Sequence, residues 1–457
     1  MGTQNMDPAL MEKYNRETFM YVEYPHKSFW SPCHNDDNIK RVLAELCLDS
    51  IQPPTLLYVH MPYCHTQCYF CTCHVEISLE YEKVKKYLAI LHKEIELYRQ
   101  FFNRIGQSLN FKEIHLGGGS PTYIREPEFD ELLSRLGSIV AMDDLVEFSI
   151  EVDPRRVKED RLRYYHSKGI NRISFGVQDF DLEVQKAINR IQPAKLTDDL
   201  LTPEIRKLFP NGINFDIICG LPRQTLKSIR KTFEKVVELS PDRVCLNYLG
   251  MAPHYAPHQL LMPLSDLPTI YEKKLLFLAA LDILVANGYV RTGYDHFAKS
   301  TDEVVRAMNT GNMTWNPLGV TAGRYHNTIG IGVHSYGQIG PYYCQNTYDL
   351  SEYQAKLEQE TFPIFREHRL DQEDELRREV IQTLRSYFHI SFSDIEKKFG
   401  INFKNHFERE LLSLKEMVDD GLVIISNQDI TITELGHQFA NLVCEKFDAY
   451  LQSNQPE

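Results

Sequence analysis

The segment of residues 55–73 reads TLLYVHMPYCHTQCYFCTC, an apolar run followed at once by four closely spaced cysteines. Its first six residues are rich in apolar and aromatic side chains, which is typical of a buried strand. The cysteines Cys64, Cys68 and Cys71 have the spacing C-x3-C-x2-C, and Cys73 follows two positions later. This order predicts a strand that leads into a long, cysteine-bearing loop.

Five further strand-like runs follow, and amphipathic helical stretches separate them. Strands that alternate with helices predict βα units around a parallel sheet. Six such units predict an α/β fold, a partial (β/α)6-type TIM barrel, with its chemistry in the loops after the strands. The strand-like runs are Thr55–His60, Glu113–Leu116, Glu147–Glu151, Arg172–Phe175, Ile213–Ile218 and Arg243–Tyr248. The helical stretches are Tyr81–Phe101, Glu128–Ser138, Lys158–Ser167, Lys227–Leu239 and Tyr271–Asn287.

We divide the chain into an N-terminal arm (1–50), a barrel (51–255), a barrel extension (256–365) and a small, mostly helical C-terminal domain (366–457). The extension contains the glycine-rich, strand-like run Ile329–Gly337. In the last part, helices followed by a hairpin resemble a winged helix. The predicted elements are helices Gln372–Tyr387, Phe392–Lys398 and Phe403–Asp420, the hairpin Gly421–Thr433 and a last helix, Glu434–Leu451.

A winged helix suggests either DNA binding or a lid or docking domain. Residues 371–457 carry 17 acidic and 9 basic side chains, the wrong sign for binding phosphates. The whole chain of 457 residues has a net charge of −13, which argues against nucleic-acid and anionic-membrane binding. No apolar stretch approaches the roughly 18 residues that span a bilayer. The segment Met1–Trp30 lacks the apolar core of a signal peptide, so we expect a cytoplasmic protein.

The cysteine cluster admits several readings. Cytosolic thiols stay reduced, so a tight cluster indicates metal binding or redox chemistry and not a disulfide scaffold. Zinc sites usually add a second cysteine pair further on, which this chain lacks. An iron–sulfur cluster with three protein cysteines leaves one iron open, as an enzyme can use for a substrate. The alternative is that the three cysteines are ordinary core residues whose spacing arose by chance.

The C-x3-C-x2-C spacing, with Phe70 just before the third cysteine, resembles the signature of radical S-adenosylmethionine enzymes. This resemblance implies a [4Fe–4S] cluster on Cys64, Cys68 and Cys71. It further implies that S-adenosylmethionine chelates the open iron and is cleaved to a 5′-deoxyadenosyl radical. In such enzymes the cofactor carries the difficult chemistry, and the protein supplies positioning and excludes water.

A second resemblance covers nearly the whole chain, from about Lys13 to the C-terminal helix. It is to the oxygen-independent coproporphyrinogen III oxidases, and it implies two bound S-adenosylmethionine molecules. It also implies oxidative decarboxylation of two propionates of coproporphyrinogen III to vinyl groups. The motifs that carry it are Tyr58–His60, Cys71–Cys73, Gly117–Tyr123, Glu151–Arg155, Gly176–Phe180, Asn189-Arg190, Asp216, Gly220–Pro222, Asp295–Ala298 and Gly330–Val333.

Position by position, this resemblance implies roles for individual residues. Tyr58, Gly118 and Glu151 are expected to hold the first S-adenosylmethionine. Tyr58 and Cys73 are expected to take part in catalysis, with Cys73 not a cluster ligand. The residues expected at the second S-adenosylmethionine are Phe70, Gly119, Ser120, Gln178, Arg190 and Asp216, with further cofactor-contact positions at Gly250 and Tyr336.

Several of these residues also have a plainer interpretation. Glu151 and Asp216 end strand-like runs and could cap helices. Arg190 could belong to a surface ion pair, and Cys73 could be a buried thiol. Tyr58 alternates with His60 along a strand, and both could be packing residues. The triplet Gly117–Gly119 alone is typical of a tight strand–helix turn.

Three segments depart from the pattern of the oxidases. The family has Gly-Pro-Arg-Tyr-Thr-Ser-Tyr-Pro where this chain has Thr18–Pro25, with Met20 and an acidic Glu23. The missing arginine is a natural partner for a propionate, because a guanidinium binds carboxylates bidentately. The family segment Asn-Phe-Gln-Gly-Tyr is replaced by Asn316–Val320, which brings in Leu318 and Val320. Leu246–Pro253 also differs. We expect all three segments at substrate or second-cofactor contacts.

Two other functions therefore stay open. One is a related methyltransferase or cyclopropanase that uses the second S-adenosylmethionine as a one-carbon source on another small molecule. The other is a haem chaperone, which the extra cysteine at position 73 disfavours. As partners, the resemblance implies a tetrapyrrole substrate, an electron donor such as flavodoxin or ferredoxin, and a monomeric enzyme.

Overall fold

The computed structural model describes residues 8–18, 21, 23–323 and 327–452. It confirms the α/β fold with six βα units. Each predicted barrel strand is present, and most extend a few residues beyond the predicted limits. The first to the sixth barrel strands are Thr55–Met61, Phe111–Gly118, Glu147–Val152, Arg172–Gln178, Ile213–Cys219 and Arg243–Tyr248. The main helices that follow them are Tyr81–Ile105, Glu126–Leu136, Glu159–Ser167, Leu182–Ala187, Leu226–Leu239 and Ile270–Ala286.

The barrel strands are parallel neighbours in sequence order, and they form the centre of a 13-stranded sheet. A seventh parallel strand, Asn327–Ile331, lies beside the first. It belongs to the run predicted as Ile329–Gly337, which the structure divides into two antiparallel strands. Antiparallel strands form both edges, so the barrel is open. On the side of the seventh strand they are Tyr336–Ile339, Tyr342–Asn346, Ile364–Arg369 and Ser31–Pro32, and on the other side His296–Lys299 and Tyr289–Arg291.

The chain folds in this way because its apolar strands are buried between the helices and the barrel interior. Every residue of the first barrel strand is buried. The helix after the fifth strand starts with a capping box between Thr225 and Ser228, and the helix after the sixth starts with one between Thr269 and Glu272. Such caps satisfy backbone N–H groups at the helix start and fix where each loop ends.

The C-terminal part is more broken than the sequence predicted. The predicted helix Phe403–Asp420 consists of three short helices. The last predicted helix, Glu434–Leu451, begins as the 3-10 helix Gly436–Phe439, continues as an α-helix and is interrupted after residue 445. The predicted two-stranded hairpin gains His389–Ser391 as a third strand. The helices of this part are Gln372–Tyr387, Phe392–Phe399, Phe403–His406, Glu408–Ser413, Lys415–Asp419, Ala440–Glu445 and Ala449–Gln452, and its other strands are Val423–Ile425 and Asp429–Ile432.

The N-terminal arm packs on this C-terminal part. Met11 and Tyr14 lie in the same hydrophobic cluster as Phe439, and the Tyr14 hydroxyl donates to Asp420 at 2.6 Å. The strand Ile364–Arg369 crosses the predicted division at 365/366, and the division into four parts stays a prediction. The remaining elements are helices Pro8–Lys13, Asp37–Leu48, Ala194–Leu200, Pro203–Arg206, Glu303–Asn309 and Leu350–Glu358, and strands Tyr63–Cys64, Glu76–Ile77, Thr314–Asn316 and Gly319–Thr321.

No helix among the described residues combines the length and the apolar character needed to cross a membrane.

Candidate active site

A cavity of about 450 Å³ opens at the carboxyl ends of the barrel strands and extends into the barrel interior. Alternate residues of the third to sixth strands face it, as the two-residue period of a strand requires. It collects most of the predicted site residues on one surface, although they are far apart in the sequence. Those that line it are Cys64, Cys68, Phe70, Cys71, Cys73, Gly118, Gly119, Ser120, Glu151, Gln178, Arg190 and Asp216. Tyr58, Gly250 and Tyr336 are not among the lining residues.

The cysteine loop is held in place by hydrogen bonds of its backbone, one through a backbone N–H and two from side-chain amides. The Tyr69 N–H donates to the carbonyl of Ile188 at 3.0 Å, and the Asn189 amide donates to the carbonyl of Gln67 at 2.9 Å. On its other side the Gln259 amide donates to the carbonyl of Phe70 at 3.0 Å. A loop held from two sides keeps its cysteines fixed on the cavity wall.

Two guanidinium groups lie beside the Cys68 sulfur. Arg190 Nη1 is 3.5 Å from Cys68 Sγ, and Arg155 Nη2 is 3.8 Å from it. Asp153 pairs with Arg155 at 2.8 Å, and burial opposed by these arginines leaves the Asp153 pKa at about 2. N–H donors to a cysteine sulfur stabilise the thiolate form and tune the potential of an iron–sulfur cluster.

The donor set fits an iron–sulfur cluster. Cys64, Cys68 and Cys71 present three soft sulfur ligands to one cavity, as such clusters require. Within the described ranges no three His, Cys, Asp or Glu side chains are placed to hold a single metal ion. Cys73 is exposed on the cavity wall and is not a buried thiol. Its hydrogen bond to Cys71 lowers the pKa of the Cys71 thiol.

The glycine-rich turn after the second strand meets the end of the third strand. The Gly118 N–H donates to Glu151 Oε2 at 3.1 Å, and His115 Nε2 lies 3.2 Å from Glu151 Oε1. The next helix begins eight residues after Glu151 and its N-cap is Lys158, so Glu151 does not cap it. Gly118 has φ +109°, and a side chain there would approach His60 to 2.6 Å. Glycine is therefore required at position 118, both because φ is positive and because a side chain would clash with His60.

Tyr58 and His60 lie one layer behind the cavity wall. The Tyr58 hydroxyl is 2.9 Å from His60 Nδ1, and its ring stacks on His115 with centroids 5.9 Å apart. Burial raises the Tyr58 pKa well above its usual range, with Glu151 and Cys73 adding to the shift. Burial also lowers the His60 pKa to about 4. Both side chains are thus packed in this structure, and the neutral phenol of Tyr58 supports the His115–Glu151 pair.

Gln178 and Asp216 face the cavity from the fourth and fifth strands. Gln178 has φ +67° at an irregularity in the pairing of these strands. Such a conformation in a non-glycine residue costs of order 1–2 kcal/mol and is found often at functional sites. Asp216 accepts hydrogen bonds from Ser174 and Asn214, each at 2.8 Å. The next helix starts at its N-cap Thr225, so Asp216 does not cap it.

Two of the expected cofactor contacts lie elsewhere. The Gly250 carbonyl accepts from Gln259 at 2.8 Å, and no atom lies within 4 Å of a side chain built there. Tyr336 packs against Trp30 and Tyr343, with ring centroids 5.8 and 6.0 Å away. Arg190, in contrast, is only 8 % exposed and is not part of a surface ion pair.

The hairpin formed by Thr314–Asn316 and Gly319–Thr321 closes one side of the cavity. Leu318 and Val320, two of the departures from the oxidase pattern, line it, so the altered segment faces the same space as the cysteines. Met20, in the departing segment Thr18–Pro25, lies outside the described residues.

Several cavity residues received no role from the sequence. His115 and Arg155 are among them, and so is a buried group formed by Asp295, His296 and Arg385. Arg155 was noted only as part of the motif Glu151–Arg155, and Asp295 and His296 only as part of the motif Asp295–Ala298. His115 lies two residues before Gly117 on one strand, so the two face the same side. That spacing could have identified His115 as a residue near the cavity. Arg385 gave no signal, because it lies on a helix of the C-terminal part.

An open (β/α)6 barrel with three loop cysteines beside a glycine-rich turn defines the radical S-adenosylmethionine class. In agreement, the model of the radical SAM superfamily matches residues 58–236, and that of the HemN C-terminal domain matches residues 370–439. Membership of the superfamily implies a [4Fe–4S] cluster and S-adenosylmethionine.

Relatives of similar length place the chain more closely. It is 34% identical over 453 residues to the oxygen-independent coproporphyrinogen III oxidase of Helicobacter pylori strain J99, which covers 99% of this chain and 98% of the relative. It is 32% identical to that of Escherichia coli K12, with 98% and 96% covered. A solved structure of the Escherichia coli enzyme, described as a radical SAM enzyme, superposes with a TM-score of 0.89, at 32% identity, over 98% of this chain and 99% of that one. The chain belongs to the family of oxygen-independent coproporphyrinogen III oxidases.

Proposed function

We propose that this enzyme oxidatively decarboxylates two propionates of coproporphyrinogen III to vinyl groups, giving protoporphyrinogen IX in haem biosynthesis. The observation that carries the proposal is the single cavity shared by the three cysteines, Glu151 and the hairpin at Leu318. The residues proposed to generate the radical and those proposed to select the substrate therefore line the same cavity. The kinship with full-length oxidases supports the substrate.

Each conversion removes one hydrogen atom from the propionate carbon next to the pyrrole ring, then carbon dioxide and one electron. The cluster and S-adenosylmethionine, when bound, supply the hydrogen-abstracting radical. Cys64, Cys68 and Cys71 are proposed to hold the cluster, and the N–H donors of Arg155 and Arg190 to stabilise its sulfur ligands. The electron that the substrate releases requires an acceptor.

The residues around the glycine turn are proposed to bind and orient S-adenosylmethionine. Glu151 can accept from its ammonium group, since one carboxylate oxygen bonds Gly118 and further lone pairs remain. Gly118 lets the backbone approach the ligand. Tyr58 supports this wall through His115, and Cys73 lies next to Cys71 on the cavity side.

A second S-adenosylmethionine is proposed in the same cavity. Its expected contacts Phe70, Gly119, Ser120, Gln178, Arg190 and Asp216 all line the cavity. The strained backbone at Gln178 supports a functional position there. We further propose a monomeric enzyme with a small redox protein, such as flavodoxin or ferredoxin, as electron donor.

Product analysis tests the proposal. Anaerobically reconstituted protein is incubated with coproporphyrinogen III, a reductant and S-adenosylmethionine, alongside a Cys64→Ala control. We expect vinyl products together with 5′-deoxyadenosine from the wild type, and neither from the control. Formation of 5′-deoxyadenosine by the wild type without any vinyl product would refute the substrate assignment.

A second function is favoured by one observation, the replacement of polar and aromatic residues by Leu318 and Val320 on the cavity wall. It keeps the radical but transfers a one-carbon group from the second S-adenosylmethionine to another small molecule. Methyl-labelled S-adenosylmethionine distinguishes the two. Label in an isolated product supports transfer, and its absence from every product excludes it.

A further inference from the structure

Three elements meet on the side of the cavity away from the cysteines. Asp295 and His296 stand at the start of the strand next to the sixth barrel strand, with His296 opposite Cys245. Arg385 comes from the first helix of the C-terminal part, and Trp315 comes from the hairpin. All four line the cavity.

Asp295 holds the other two charged groups in place. Its Oδ1 is 2.6 Å from His296 Nδ1, and its Oδ2 accepts from Arg385 Nη2 at 3.0 Å. The side chains of Arg385 and Asp295 are 2 % and 4 % exposed. A carboxylate on Nδ1 fixes the orientation of an imidazole. The other ring nitrogen then points away from Asp295.

Polar hydrogens remain unused at this place. Arg385 Nε and Trp315 Nε1 are buried here without a partner among the residues that the structure describes. The Trp315 ring lies 3.8 Å from the Arg385 guanidinium carbon and fixes its plane. Buried donors normally have partners, so unpaired ones on a cavity wall indicate a ligand that accepts hydrogen bonds.

The hairpin leaves room for such a ligand at one position. Gly319 has φ +107°, and a side chain built there would lie 2.9 Å from His296 Nε2. Glycine therefore keeps open the space in front of this nitrogen. The nearby Asp216 accepts hydrogen bonds from Ser174 and Asn214.

We propose that His296, oriented by Asp295 and Arg385, binds one carboxylate of the substrate in the space left by Gly319. This inference rests on the proposed function and adds a specificity-determining residue to it. Doubly protonated imidazole donates from Nε2 to the carboxylate, a charge-assisted bond.

Porphyrin binding tests the carboxylate subsite without turnover. Coproporphyrin III and its tetramethyl ester are titrated into reconstituted holoenzyme under anaerobic conditions without reductant, and porphyrin fluorescence is followed. We expect His296→Ala and Gly319→Ala to weaken binding of the acid about 10- to 100-fold. The ester lacks carboxylates, so its affinity should change less than about 2-fold.

Gly311→Ala is the matched control, because Gly311 also has positive φ but has no atom within 4 Å of an added side chain. It should leave the affinities for acid and ester unchanged. Unchanged affinity of His296→Ala for the acid overturns the subsite. An equal loss for acid and ester also overturns it, since that result means lost packing.

Turnover separates this inference from the proposed function. With coproporphyrinogen III, His296→Ala should raise KM about 10-fold or more. If the wild type binds coproporphyrin III through His296 but forms no vinyl product, the proposed function fails and the subsite stands. If the wild type forms vinyl product and the variant keeps its KM, the subsite alone fails.

Discussion

The Glu151 carboxylate, at the end of the third barrel strand, accepts a hydrogen bond from the Gly118 N–H, at the end of the second, at 3.1 Å. This bond joins two neighbouring strand ends at the mouth of the cavity. It places a negative charge beside a backbone turn that no residue with a side chain could form without displacing His60. The arrangement suits a ligand that carries an ammonium group.

Glu151→Gln should weaken S-adenosylmethionine binding about 10- to 100-fold, because the amide removes a charge-assisted hydrogen bond. Equilibrium dialysis with labelled S-adenosylmethionine on reconstituted protein measures this, and iron content should stay at the wild-type level. Glu159→Gln, on an exposed helix surface where Glu159 pairs with Arg163, is the control. Wild-type affinity of Glu151→Gln would contradict the assigned contact.

Gly118→Ala should lower the free energy of unfolding by about 2–4 kcal/mol. About 1 kcal/mol comes from positive φ and the rest from the contact with His60. Gly106→Ala is the matched control, since Gly106 has φ +77° with nothing within 4 Å and should cost only about 1 kcal/mol. Urea denaturation compares them. Equal losses would mean that the space in front of His60 can adapt.

Alanine at Cys64, Cys68 or Cys71 should in each case prevent cluster assembly, because it removes one of the three proposed thiolate ligands. Iron and sulfide content and the visible absorption of reconstituted protein measure this. Cys73→Ala should retain the cluster and lose turnover. Cys444→Ala, buried in the C-terminal part, serves as the cysteine control. Loss of iron in Cys73→Ala would place Cys73 among the ligands.

Glu94 is fully buried and accepts from Gly332 N–H and Asn346 at 2.7 and 2.8 Å. Burial raises its pKa from 4.5 to about 7. The folded state therefore holds more protons than the unfolded state between these values, and stability falls as pH rises through this window. Relative to Glu94→Gln, the wild type should lose up to about 3 kcal/mol between pH 4.5 and 7.

Unfolding in urea at pH 5 and pH 8 measures that difference. Glu96→Gln, on the same helix, is the control. The hydrogen bond from Arg99 lowers the Glu96 pKa from 4.5 to about 2. Its contribution to stability is therefore lost only as pH falls from about 4.5 towards 2, and it is constant between pH 5 and pH 8. A Glu94 difference that is equally independent of pH would contradict the raised pKa.

Asp295→Asn should destabilise the protein by about 3–5 kcal/mol, because it leaves Arg385 buried without its counter-charge. Thermal unfolding of the reconstituted protein measures the effect. The double variant Asp295→Leu with Arg385→Met removes both charges and should recover part of the loss. If the single variant is as stable as the wild type, the ion pair does not stabilise the packing of the C-terminal part on the barrel.

The sequence determined the barrel and its chemistry. Six apolar runs alternating with amphipathic helices are a local pattern, so the strands lie close to where it placed them. The cysteine spacing within one loop is local too. The helices of the C-terminal part were predicted less well. One predicted helix is three short helices that begin with Phe403–His406, because tertiary packing and not the apolar periodicity determines where these helices end.

Only the tertiary structure decided which distant residues meet. In the folded chain Glu151 bonds Gly118, and the guanidinium groups of Arg155 and Arg190 lie beside the Cys68 sulfur. Tyr336, which the sequence placed at the cofactor, does not line the cavity. The tertiary structure also joined His296 to Arg385, residues 89 positions apart, through Asp295. No local pattern contains these contacts, because they depend on which strand ends become neighbours and on how a helix from the C-terminal part packs across the barrel.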